Sequence, residues 1–282
     1  MATFARSDQL LVIIDPAARE TDGESVRIAK DVLSAGAAAK VCMPDGPEEF
    51  ARVLSRRGSR RPVVIGDDGA LVRAVTFLHR RRELADCVLS MVPVGGSQGV
   101  AHALGVPAGA VAAARAVLDG VERRMDLLVD DSDGVVLGAL RIPPLAAVAG
   151  AQVPVPVPAR GWLRPYQHLV RSLSARPAPA PAVPGPPARL RVEVDGETVV
   201  DLDQPVEGIS VTSGGRDGLA EVEVRPLSVG AEATPVRASG RTVTVTGADF
   251  RYRADGGLAG PVRRRTWRVV QGGWGLTVPG SS

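Results

Sequence analysis

Two units of strand, glycine turn and helix follow one another within residues 61–107, and no other stretch limits the fold so tightly. In the first, Pro62-Val63-Val64-Ile65 breaks into Gly66-Asp67-Asp68-Gly69, and a helical pattern starts at Ala70. In the second, the apolar run 87–93 breaks into Gly95-Gly96-Ser97-Gln98-Gly99, with a short helical pattern over 100–105. A parallel strand covered on both faces needs an unbroken apolar run of this kind. Glycine at its carboxyl end lets backbone approach a ligand and leaves helix N–H groups to face it. Two such turns side by side predict a crevice at the carboxyl edge of an open α/β sheet, where such sheets take their ligands.

The neighbouring segments extend the same grammar. Leu10-Leu11-Val12-Ile13-Ile14 reads as a buried strand ending at Asp15-Pro16. A helix capped by Thr21, Asp22 or Ser25 carries Val26, Ala29 and Leu33 on one face and stops at Gly36. A strand at 39–43, a helix opened by Gly46-Pro47 and a helix at 110–118 complete an alternation of strand and helix. Short connections then imply a parallel sheet built from right-handed crossovers.

After Arg124 the pattern changes to strands alone. Runs at 125–129 and 135–140 flank the turn Asp130-Asp131-Ser132-Asp133-Gly134. Further strands are expected at 190–194, 209–212, 220–224, 242–245, 267–270 and 274–278, with Asp195-Gly196 and Asp255-Gly256 as two-residue hairpin turns. Residues 160–174 predict an amphipathic helix, and 176–188 a Pro/Ala-rich loop. The expected fold is α/β plus all-β. An N-terminal α/β parallel-sheet (Rossmann-like) domain covers 1–122, and a C-terminal antiparallel β-sandwich covers 123–282.

Composition narrows the partners. The 282 residues carry 34 basic and 31 acidic groups, a balance that gives no reason to expect nucleic acid. Only Lys30 and Lys40 are lysines. The arginines cluster at 56–57, 60–61, 80–82 and 263–265, as solvated ends or as contacts to anionic lipid headgroups. Cys42 and Cys87 sit in apolar runs and imply no disulfide framework, and the three histidines lack metal-ligand spacing. With no apolar run of membrane-spanning length, the expected location is cytoplasmic, with peripheral contact to an anionic membrane.

Three motifs carry a resemblance. They are Gly66-Asp67-Asp68-Gly69; Gly95-Gly96-Ser97-Gln98-Gly99 with Leu104-Gly105-Val106-Pro107; and Asp255-Gly256-Gly257 with Gly260-Pro261 and Arg265-Thr266-Trp267. Together with the two halves, they resemble the diacylglycerol kinase catalytic-domain family, which includes bacterial lipid kinases and sphingosine kinases. The resemblance implies ATP- and Mg2+-dependent phosphorylation of a lipid hydroxyl in a cleft between the halves. It implies that Gly66, Asp68, Gly69 and Gly95 fall on the nucleotide turns, that Asp255 is the general base, and that Asp217 helps hold the metal. A lipid is the implied substrate or ligand, and a homodimer is a possible assembly.

Where the family has glycine, threonine, asparagine or acid, this chain has Asp67, Ala70, Gly96, Gln98, Gly99 and Gly257, and Asp15-Pro16 stands for Asn-Pro. A lipid-, nucleotide- or protein-binding pseudokinase is therefore the alternative. A third reading takes Gly95-Gly96-Ser97-Gln98-Gly99 as a nucleophile elbow, with Ser97 the nucleophile, Asp126 or Asp131 the acid and His168 the later histidine.

Overall fold

The computed structural model describes residues 9–143, 188–213, 218–227 and 234–280. The expected helix at 160–174, His168, Asp217 and all but the last residue of the 176–188 loop lie outside these limits. The fold is mixed α/β and rich in strands, in the order β1 (Gln9–Ile14), α1 (Pro16–Thr21), α2 (Gly23–Gly36), β2 (Ala38–Cys42), α3 (Pro47–Ser55), β3 (Arg61–Gly66), α4 (Asp68–Arg80), β4 (Val88–Pro93), α5 (Gly99–Ala103) and α6 (Ala110–Asp119). The chain continues with β5 (Val121–Asp130), β6 (Val135–Val136), β7 (Ala139–Ile142), β8 (Ala188–Val194), β9 (Glu197–Val200), β10 (Pro205–Thr212), β11 (Ala220–Pro226), β12 (Val236–Gly240), β13 (Thr242–Ala254) and β14 (Gly257–Val278).

The first four strands pair in parallel in the order β4-β3-β1-β2. Their apolar runs are buried on both faces: Leu10, Val12, Ile13, Val63, Val64 and Ile65 are all inaccessible. From β1 the chain crosses to β2 on one side. It then crosses back past β1 to β3, and onward to β4. The direction of winding therefore reverses between β1 and β3, and the carboxyl ends of those two strands mark the place where open α/β sheets take their ligands. Local chemistry starts the flanking helices. Asp22 caps α2 by accepting from Ser25 N (3.0 Å), and Asp15 caps α1 by accepting from Ala17 N (3.0 Å), with Pro16 at the first turn.

The later strands pair antiparallel, apart from one place where the chain returns to its beginning. Strand β14 runs for 22 residues. It pairs with β13 through the Asp255-Gly256 turn and with β5 along the rest of its length. At Gly275 and Leu276 it lies parallel to Val88 and Leu89 of β4. The separate runs expected at 267–270 and 274–278 are thus one strand, interrupted by a bulge at 271–273. Asp126 accepts from Gly272 N (2.7 Å), and Arg124 donates to Gly272 O (3.0 and 2.7 Å) and to Ala85 O (3.1 Å). Gly272 needs its freedom, because its φ is +55°. Apolar packing follows the same division. Trp274 is wholly buried in the apolar cluster that includes the β1, β3 and β4 side chains, and Trp267 is wholly buried in the one that includes those of β8, β10 and β13.

The arginine clusters are partly consumed by ion pairs. Arg57 and Arg81 share Glu83 (2.6 and 2.8 Å), Arg263 meets Asp249 (2.8 Å), and Arg265 meets Asp131 (2.6 Å). No described helix is long and apolar enough to cross a membrane.

Because Trp274 fills the seam between β14 and the parallel strands, Trp274→Ala is expected to cost about 3–5 kcal/mol. Urea unfolding should show a lower midpoint at unchanged slope. A loss below about 1 kcal/mol would mean that the seam is not packed through this side chain.

Candidate active site in the crevice between β1, β3 and β4

Three backbone hydrogen bonds gather the carboxyl ends of the parallel strands: Asp15 N to Ile65 O (2.9 Å), Val94 N to Gly66 O (2.8 Å) and Asp68 N to Ser97 O (2.8 Å). The approach is close. A Cβ on Gly66 would stand 2.7 Å from the Ala70 Cβ and 3.1 Å from the Asp15 Cβ, so only glycine lets the ends of β1 and β3 and the start of α4 converge. Gly95 has φ +96°, a conformation that a side chain would oppose.

Asp68 does more than an ordinary turn residue. It is buried, and its carboxylate accepts from Ser97 Oγ (2.8 Å), Val100 N (3.1 Å) and Ala101 N (3.0 Å). Two of the helix N–H groups that the second glycine turn was expected to leave free are therefore taken by the first turn. Asp67 points elsewhere. One oxygen caps α4 by accepting from Ala70 N (3.0 Å), and the other lies 3.1 Å from where a Cβ on Gly96 would stand. A side chain at position 96 would press on that carboxylate.

Asp255 comes to the same corner from the far end of the chain. It occupies the first position of the β13–β14 turn with φ +45°, and Gly256 follows at +84°. Its carboxylate accepts from Leu137 N (2.6 Å), Gly138 N (2.8 Å) and Ala139 N (3.2 Å), which form a cradle between β6 and β7. Ser213 braces that cradle by donating to Leu137 O (2.6 Å). A Cβ on Gly138 would stand 3.1 Å from Asp255 and 3.6 Å from a methyl of Val100. Val100 thus links the two acids: Asp68 holds its N–H, and its side chain faces the glycine that holds Asp255. Burial pushes the Asp255 carboxyl above the ordinary 3.8. The three N–H bonds oppose that rise, and the Asp68 charge adds to it.

The structure therefore brings Gly66, Asp68, Gly69, Gly95 and Asp255 together. Asp217, expected as a metal ligand, lies outside the described residues. The cradle at 137–139, Ser213 and Ser97 as a donor to Asp68 were not read from the sequence. The run 135–140 shows only an apolar strand pattern. Ser97 gives its proton to the Asp68 carboxylate, and His168, the histidine of the nucleophile-elbow reading, lies outside the described residues. Among the described residues, no group of three or more His, Cys, Asp or Glu could hold a metal. Magnesium needs only one or two carboxylates beside phosphate oxygens, and the second oxygen of Asp67, which accepts no hydrogen bond from the described residues, is suited to that.

Residues 9–129 match the family model described as the diacylglycerol kinase catalytic domain. A solved structure from Bacillus anthracis str. Sterne, provisionally named a diacylglycerol kinase, superposes with a TM-score of 0.70 at 13% identity, covering 98% of this chain and 98% of that one. Another from the same organism, described as a diacylglycerol kinase, gives 0.67 at 13% identity over 96% and 97%. At such identity the likeness is one of fold. No curated protein matches the sequence.

The raised carboxyl of Asp255 has a thermodynamic signature. A folded-state carboxyl that binds its proton more tightly than the unfolded one contributes stability that is fully present below the ordinary value of 3.8. That contribution is lost as pH rises through the folded value. Urea unfolding measured from pH 3.8 upward should show this decline, and Asp255→Asn should remove it. The slopes are compared, because Asn lowers stability at every pH by turning an amide toward backbone donors. Identical slopes in the two proteins would assign the titration to another group.

Proposed function

The chain belongs to the diacylglycerol kinase catalytic-domain family, and from that premise we propose that it transfers a phosphoryl group from ATP to a lipid hydroxyl. The nucleotide lies in the crevice beside Gly66, Gly69 and Gly95, where backbone can approach its phosphates. Asp67, through its second carboxylate oxygen, would hold Mg2+, which would supply charge neutralisation for the transferring group. Asp255 takes the proton of the lipid hydroxyl as the new P–O bond forms and the bond from the γ-phosphorus to the bridging oxygen breaks, with ADP as the leaving group. The burial of Asp255 favours this, because a carboxylate with a raised pKa is a stronger base. Asp68 orders α5 and holds the second turn against the first.

The observation that carries this reading is the meeting of Asp68 and Asp255 at one corner across 187 positions of sequence, each held by backbone N–H groups from other segments. In this reading residues 1–122 form a Rossmann-like nucleotide domain, and 123–282 form a β-sandwich that receives the lipid. The protein works in the cytoplasm, touching an anionic membrane peripherally.

A second reading is favoured by the engagement of Asp68 with Val100 N and Ala101 N. If those donors stay committed to a carboxylate, the crevice holds a nucleotide or lipid without turnover, as a pseudokinase would. Labelled ATP separates the two. The kinase reading expects label on a lipid in a membrane extract, with Asp255→Asn lowering the rate at least about 100-fold at unchanged ATP affinity. Unchanged turnover would remove Asp255 from the mechanism. Bound nucleotide with no labelled lipid would establish the pseudokinase.

A further inference from the structure

Arg73, on the second turn of α4, is part of no motif, yet its guanidinium reaches the point where the winding direction reverses. Its Nη2 donates to Asp15 at the end of β1. Its Nη1 stands 3.5 Å from where a Cβ on Gly69 would be, beside an Asp67 oxygen 3.2 Å from the same point. The group also lies over the Phe50 ring, 6.0 Å from its centre. The ion pair therefore bridges β1 and the helix after β3, across the mouth of the crevice. Its two members differ in access: the Arg73 side chain is 42% exposed, and that of Asp15 is 6% exposed. The cation is partly open to solvent, and the carboxylate is buried.

We propose that Arg73 is the phosphate-contacting cation of this site, and that Asp15 competes with the bound phosphate for it. The proposal rests on the nucleotide reading above. A guanidinium carries five N–H donors in a planar fork, so the Asp15 bond leaves donors to aim at a phosphate over Gly69. The need for a cation follows from the surroundings. Asp15, Asp67, Asp68 and Asp255 all face this region. N–H partners satisfy the lone pairs of a carboxylate without cancelling its charge. The stacking on Phe50 restrains the arginine and lowers the entropy lost when it engages a ligand.

The rival explanation is a structural tie, in which Arg73 serves only to neutralise buried Asp15. Four variants separate the two: Arg73→Gln, Arg73→Lys, Asp15→Asn and the double variant Asp15→Asn/Arg73→Gln. Asn at position 15 can still accept from Ala17 N, so the cap of α1 is kept. Isothermal titration with ATP and Mg2+, and with adenosine as the phosphate-free probe, gives the readout. Arg73→Gln should weaken ATP about tenfold or more and leave adenosine unchanged. Arg73→Lys, keeping the charge without the fork, should fall between. Asp15→Asn should tighten ATP severalfold by releasing the guanidinium, and the double variant should lose that gain. Equal ATP affinity in Arg73→Gln and wild type, with ATP bound, overturns the proposal and leaves the nucleotide reading standing. So does weakening of ATP by Asp15→Asn, or a gain that persists in the double variant. A wild-type protein that binds neither ATP nor adenosine overturns both. If Arg73→Gln fails to fold, Asp15→Asn and Arg73→Lys still decide the outcome.

Discussion

Strand β14 must satisfy the backbone groups of three different neighbours along one extended chain. Its first half pairs with β13, its second half with β5, and near its end it adds parallel to β4. Unpaired backbone groups in a buried sheet cost about as much as a lost hydrogen bond each, so the register along this strand is strongly specified. That register is what positions the crevice. The turn that opens β14 carries Asp255, and the residues near its end lie beside β4, whose carboxyl end opens toward Ser97. The bulge at 271–273 absorbs the change of direction, and the Arg124 and Asp126 side chains hold it from β5. The distance between Asp68 and Asp255 is thus set by a continuous ladder rather than by loops.

The crevice itself is organised by carboxylates that accept from elements distant in sequence. Asp68 gathers residues 97–101, Asp255 gathers 137–139, and Asp15 caps α1 while reaching Arg73 on α4. Each buried acid has hydrogen-bond partners, as burial of a charge demands. This explains how an acid is accommodated at position 15 without unfolding the protein. A helix start with free N–H groups would bind an external anion, whereas here Asp68 supplies an internal one to α5.

The parallel half was legible because its signals are local. Apolar runs of five or six residues, glycine turns and capping residues lie next to one another in sequence, and β1, β3, β4 and their helices follow from them. The hairpins at Asp195-Gly196 and Asp255-Gly256 were legible for the same reason, and both turns have the positive φ pair that Asp-Gly accommodates. The remainder depends on partners far away. Gly272-Gly273 reads as the gap between two strands, because nothing nearby in sequence reveals that β5 continues the ladder across it. Residues 135–140 read as one strand, since their apolar pattern does not show that N–H groups at 137–139 turn aside to hold Asp255. Arg73 was missed because a lone arginine on a helix reads as a solvated residue. Its meaning comes from Asp15, 58 positions earlier.

These two kinds of satisfaction differ in their effect on an incoming phosphate. A carboxylate held by N–H groups keeps its full charge, and at about 6 Å in a medium of effective dielectric near 20 it repels each phosphate charge by about 3 kcal/mol. Asp68 and Asp255 are held in this way, by N–H groups from other segments. Asp15 alone is described in direct contact with an arginine at this edge. The sign of the field over Gly69 therefore turns on where the Arg73 guanidinium sits. Drawn back onto Asp15, it cancels an acid behind the crevice wall. Extended over the turn, it leaves Asp15 exposed to its own desolvation cost while offering a fork to the ligand. The two positions exchange one ion pair for another, which lets a single side chain set the affinity of an otherwise acidic crevice for anions.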